Sequence, residues 1–209
     1  MKRVFKILAV AGICAAALVP RNASASTITF SGLTGSHVPF ITYSEVGFTV
    51  NVTAGSWGQG QLEGDPIPSI FAGPGFDSGF TGQVISSFTV AQIGGGPFTF
   101  DDLNLAANGT DVHYEFLGTL NGGTVFDTKG EDNDPTHVAN FLTIGSGDPS
   151  DPIDTLTIAA NVANEGNGTV NIDNIAVSAV PEQSTIALFA IGLGLFAPLL
   201  RKHRLTVIG

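Results

Sequence analysis

The sequence predicts an all-β fold, an antiparallel β-sandwich or jelly roll of about nine or ten strands, flanked by an N-terminal signal helix and a C-terminal hydrophobic helix. Three observations carry this. Short runs alternate polar and apolar residues and are rich in β-branched and aromatic side chains. Gly, Asn, Asp and Pro punctuate the runs. Between the two apolar ends, no segment repeats its apolar residues every 3.6 positions.

The runs follow in order. Thr27–Phe30 alternates, as does Val46–Val52, with Val46, Phe48, Val50 and Val52 on one face. Val84–Val90, Phe98–Leu105, Val112–Leu120, Thr124–Thr128, Val138–Ile144, Ile153–Ala159 and Thr169–Ala179 complete the set. Asn121-Gly122 joins two of them with the strongest hairpin signal in the chain, because a two-residue type I′ turn needs positive φ at both positions. Ala54–Gly82, rich in Gly and Pro, reads as an insertion. Gly130–Pro135 and Gly145–Pro152 read as acidic loops.

The ends have a different character. Lys2, Arg3 and Lys6 precede an apolar stretch, Ile7–Val19, and the small residues Ala23-Ser24-Ala25 follow. That is the layout of a secretory signal over residues 1–25, with cleavage after Ala25. Ile13, directly before Cys14, is too bulky for a lipid-attachment site. At the other end, Val180-Pro181-Glu182-Gln183 leads into the apolar segment Ile186–Leu200 and the basic stop Arg201-Lys202-His203-Arg204. About fifteen residues at ~1.5 Å each reach only ~22 Å across a ~30 Å hydrocarbon core. Gly192, Gly194 and Pro198 weaken the helix further. A temporary membrane insertion of residues 186–200 fits this better than a permanent anchor, with the basic end on the cytoplasmic side.

Residues 26–180 remain as one domain of ordinary size. Of the 8 basic residues only Lys129 lies there, against 17 of the 18 acidic ones, a formal charge of −16. Such a surface repels phosphate backbones, which excludes nucleic acid as a partner. The only cysteine of the chain, Cys14, is in the leader, so the exported domain has neither disulfides nor thiol chemistry.

Pro181-Glu182, the apolar helix and the basic end make the tail resemble the sorting signal of PEP-CTERM proteins over residues 181–209, with Gln183 where that family usually has a second proline. The resemblance implies a bacterial protein exported through the Sec translocon and handled by an exosortase-type processing enzyme. It implies a destination at the cell surface or outside the cell, among exopolysaccharide. Tyr43-Ser44-Glu45-Val46-Gly47-Phe48, Phe98–Leu105 and Ile172-Asp173-Asn174-Ile175-Ala176-Val177 resemble strand phrases of the exported domains of that family. The last phrase also resembles the closing strand of jelly-roll carbohydrate-binding modules.

Catalytic patterns are missing: the sequence has no G-x-S-x-G elbow and no H-E-x-x-H helix, and His37, His113 and His137 are scattered. The expectation is a non-enzymatic protein. Two constellations could bind something. Trp57, with Gln59 and Gln61, offers a ring and amides to a sugar, the alternative being an indole folded back as an anchor. Asp127, Glu131, Asp132 and Asp134, and separately Asp148, Asp151 and Asp154, offer oxygen ligands to calcium, against a bland reading as solvated turns. By fold analogy alone, Asp173 and Glu45 form a further pair for a structural calcium.

Overall fold

The computed structural model describes residues 25–60, 68–72, 84–108, 111–132, 141–147, 149–162 and 169–180. They form thirteen strands: β1 (Ala25–Ile28), β2 (Val38–Phe40), β3 (Thr42–Glu45), β4 (Phe48–Ala54), β5 (Trp57–Gly60), β6 (Ser69–Ala72), β7 (Val84–Gln92), β8 (Phe98–Asn108), β9 (Val112–Leu120), β10 (Gly123–Asp132), β11 (Leu142–Gly145), β12 (Thr155–Val162) and β13 (Thr169–Ala179). Among the described residues there is no helix. The expected signal helix and C-terminal helix, with residues 1–24 and 181–209, lie outside the described residues.

The strands form two antiparallel sheets. One runs β11-β8-β13-β6-β5-β2, with β1 also paired to β13; the other runs β10-β9-β12-β7-β4-β3. Alternation places one face of each strand between the sheets. On β7, Phe88 and Val90 point inward while Ile85 is exposed. On β13, Val170 and Ile172 are inward, and Ile175 and Val177 resume the core beyond an irregularity. Phenylalanines knit the interior in edge-to-face contacts: Phe48 on Phe98 at 5.2 Å, Phe100 on Phe116 at 5.8 Å, Phe30 on Phe40 at 6.1 Å. Each such buried ring contributes ~1.5–3 kcal/mol of apolar burial.

Asn121-Gly122 forms the expected two-residue turn, with φ of 52° and 78°. Other expectations need correction. The run beginning at Val46 starts as a strand only at Phe48, because Val46 (φ 45°) and Gly47 (φ 89°) make a second tight turn between β3 and β4. The supposed insertion after Ala54 contains β5 and β6. Their text, Trp-Gly-Gln-Gly and Ser-Ile-Phe-Ala, does not alternate because both faces of β6 are buried. Asp127, Glu131 and Asp132, assigned to or beside an acidic loop, lie in β10.

Glycine permits two close contacts across β9 and β10. A Cβ on Gly118 would lie 2.3 Å from the Phe126 ring, and one on Gly130 would lie 2.1 Å from the Tyr114 hydroxyl. Each glycine faces its aromatic partner directly in register, so the ring lies over bare backbone.

Candidate functional site

The most unusual chemistry lies in the middle of β13. One edge of this strand pairs with β8 along most of its length. The opposite edge is shared by two strands: β6 takes Val170–Ile172 and β1 takes Ile175–Ser178. Asp173 and Asn174 fall at the junction. Asn174 adopts φ 48°, and the register with β8 shifts between Asp173 and Ala176. The backbone is bulged where two neighbouring strands meet end to end.

Two polar side chains are sealed into this region. Asn171 and Asp173 alternate with Val170 and Ile172, and both are fully buried. Among the described residues, neither amide atom of Asn171 and neither carboxylate oxygen of Asp173 has a hydrogen-bond partner. Burial pushes the Asp173 carboxyl up to about 7. The Asn174 N–H, close but short of a proper hydrogen bond, offsets part of this, and the charge of Glu45 adds to it. Near neutrality the group therefore changes between a hydrogen-bond donor and a bare acceptor.

Glu45 ends β3 and is bound to the residues that follow β1. Its carboxylate accepts from the Thr29 N–H (2.7 Å), the Phe30 N–H (3.0 Å), the Thr29 hydroxyl (3.0 Å) and the Ser31 hydroxyl (3.0 Å). Phe30, at φ 54°, is turned so that successive N–H groups meet one carboxylate. The anticipated pair of Glu45 and Asp173 is close enough to interact electrostatically, but Glu45 is already engaged by four donors. Its role is to tie the N-terminal strand to the β3–β4 hairpin.

Trp57 is not a surface ring. It is 1% exposed, faces the core from β5 and packs edge-to-face on Phe88 at 4.9 Å. A sugar cannot stack on it, and the structure corrects that expectation in favour of the anchor. Its indole Nε1 has no partner among the described residues. Gln59 shares β5, its carbonyl accepting from the His37 N–H at 2.8 Å, and Gln61 lies outside the described residues.

The acidic residues are dispersed. Lys129 bridges Glu115 at 3.0 Å and Asp127 at 3.2 Å. Glu131 lies 4.0 Å from the His113 ring, and Asp132 is buried at the end of β10. Asp154 accepts from the Asn121 N–H at 2.6 Å and so caps the β9–β10 turn, a bland role. Asp151 is partly exposed; Asp134 and Asp148 lie outside the described residues. Among the described residues no three His, Cys, Asp or Glu side chains are grouped to hold a metal ion. Of the sorting residues only Val180 is described, its N–H donating to the Pro97 carbonyl at 2.9 Å. Pro181, Glu182, Gln183, Arg201, Lys202 and Arg204 lie outside.

Fold and site together define a two-sheet antiparallel β-sandwich with a buried carboxylate at a strand junction. No protein-family model and no curated protein matches the chain. Among solved structures it is similar to a DUF4465 family protein from Bacteroides caccae, at TM-score 0.49 and 8% identity over 76% of this chain and 100% of that one. It is also similar to TmCBM61, solved in complex with β-1,4-galactotriose, at TM-score 0.34 and 10% identity over 66% of this chain and 90% of that one. A third is the enzymatically active domain of tailspike protein 4 from bacteriophage CBA120, at TM-score 0.38 and 18% identity over 65% of this chain and 20% of that one. Likeness at this level assigns no activity.

Asn171 escaped the sequence reading, and Asp173 entered it only as a calcium partner of Glu45 and not as a buried carboxyl, because alternating polar residues in a strand read as a solvated face. Their signal was the phrase Val-Asn-Ile-Asp-Asn-Ile, where two polar positions precede a second asparagine able to take positive φ.

Proposed function

We propose that the chain is a non-enzymatic exported protein of the cell surface or extracellular matrix, associated with exopolysaccharide. It is carried out through the Sec translocon by residues 1–25, held through residues 186–200, and released by an exosortase-type enzyme acting at the tail. What supports this most is the distribution of charge: 7 of the 8 basic residues lie in the leader and the tail, on either side of an acidic body. Glu45, Glu115, Asp127 and Asp154 are engaged in a tie, ion pairs and a turn cap, which suits a display module better than a hydrolase. Trp57 has no part in the proposal.

The test is expression of the full chain in a bacterium that has an exosortase-type enzyme, beside a variant with Pro181→Ala and Glu182→Ala. The wild type is expected in the medium or surface fraction, with peptides ending near Thr185. The variant is expected to remain in the membrane fraction at full length. Mature wild-type protein that retains Leu199 and Leu200 contradicts the sorting reading. Turnover of a surface polysaccharide that disappears in Asp173→Asn contradicts the non-enzymatic one.

A further inference from the structure

The β3–β4 turn is built from the wrong residue. Val46 and Gly47 occupy it at φ 45° and 89°, nearly the geometry that Asn121 and Gly122 adopt between β9 and β10. The second turn uses the asparagine that tolerates left-handed backbone; the first uses a β-branched residue for which that conformation is an outlier. Strain of this kind persists where the side chain serves a purpose. Val46 is 51% exposed, so the purpose is not core packing.

A second aliphatic side chain lies beside it. The Ile93 N–H donates to the Gly47 carbonyl at 2.8 Å, clasping the β7–β8 loop to this turn, and Ile93 is 58% exposed. The loop Gln92–Pro97 carries no charge, and Gly47, Gly94 and Gly95 face open space. Glu45, the nearest acid along the chain, is covered by its four donors. In a domain of charge −16, the exposed aliphatic side chains of this corner flank a loop that carries no charge.

The corner is also where the tail departs. Val180 donates to Pro97, the last residue of the same loop. Five residues, 181–185, separate it from the apolar segment, a reach of at most ~20 Å when fully extended.

We propose that Val46 and Ile93 form a lipid-contacting tip that rests on the bilayer surface while the tail is inserted. The proposal rests on the sorting reading above. A tether this short keeps the tip near the headgroups, so two side chains suffice for a contact too weak to hold a free domain. An uncharged tip avoids the repulsion that the rest of the body has for anionic lipid.

The test uses the full chain with Cys14→Ser, reconstituted in phosphatidylcholine vesicles. A fluorophore is placed at Ile93→Cys or, as a control in the loop between β8 and β9, at Asp111→Cys, and quenching by dibrominated phosphatidylcholine is read. For bromines at the interface depth of ~5–10 Å, quenching at position 93 is expected to exceed that at 111 by about threefold or more. Val46→Asn, which suits the turn, is expected to melt no lower than its parent and to reduce the quenching. Equal quenching at both positions overturns the proposal, as does probe shielding that depends on protein concentration and not on lipid, which would identify a second copy as the occupant. Vesicle flotation separates the two readings: a chain that floats without selective quenching loses this inference alone, and a chain that does not float loses both.

Discussion

Replacing Asp173 by Asn keeps the shape of the side chain and removes its ionisation. The consequence follows from burial. In the folded protein the carboxyl is pushed up to about 7, against an ordinary value of 3.8, because burial desolvates it, the Asn174 N–H offsetting part of this and the charge of Glu45 adding to it. The folded state thus holds the proton more tightly than the unfolded chain. Stability from this group is fully present below about pH 4 and is lost as pH rises through 7. At ~1.4 kcal/mol per unit the total is roughly 4 kcal/mol, or about ten degrees of melting temperature for a domain of this size. The assay is thermal and urea unfolding of wild type and Asp173→Asn from pH 4 to pH 8.5 in chelator. All other titrating groups are common to both proteins, so the difference isolates this one. Asp173→Asn is expected to gain on the wild type steadily between pH 4 and pH 7 and to hold a constant lead above. A difference independent of pH refutes the reasoning.

Three further outcomes are expected. Glu45→Ala deprives the Thr29 and Phe30 N–H groups of their acceptor and should cost roughly 2–4 kcal/mol in urea unfolding, with Glu45→Gln milder; equal stability of Glu45→Ala and wild type would remove the carboxylate from the tie. Gly130→Ala forces the Tyr114 ring off its stack on Phe116 and should cost about 1–3 kcal/mol, seen as a lower melting temperature; an unchanged melting point would show that the ring moves freely. We propose calcium as a counter-ion of the acidic body, so the melting temperature should rise with calcium concentration and return with chelator; a flat titration removes the ion.

The fold was legible where one face of a strand is dry and the other wet. β4, β7, β9 and the second half of β13 alternate, and the Asn121-Gly122 turn is written in residues chosen for positive φ. Legibility ended where both faces are dry. β6, Ser-Ile-Phe-Ala, is buried throughout and reads as neither strand nor helix over four residues. β5 is half glycine, so Trp57 looked like a loop aromatic and not a core one. The candidate site was hidden for a related reason. Which polar residues of β13 are sealed depends on where β1 and β6 end against it, and that is a property of long-range pairing. Glu45 could be suspected, but its four donors come from residues 14 to 16 positions away.

The strand that leads into the tail is central in its sheet, not at an edge. β13 is gripped by β8 on one side and by β1 and β6 on the other. A pull transmitted through Val180 runs along that strand and loads both ladders in shear, so that many hydrogen bonds must yield together and none can be peeled singly. A domain pulled along this strand resists mechanical unfolding. The edge strand β2, three residues long, would have given way one bond at a time.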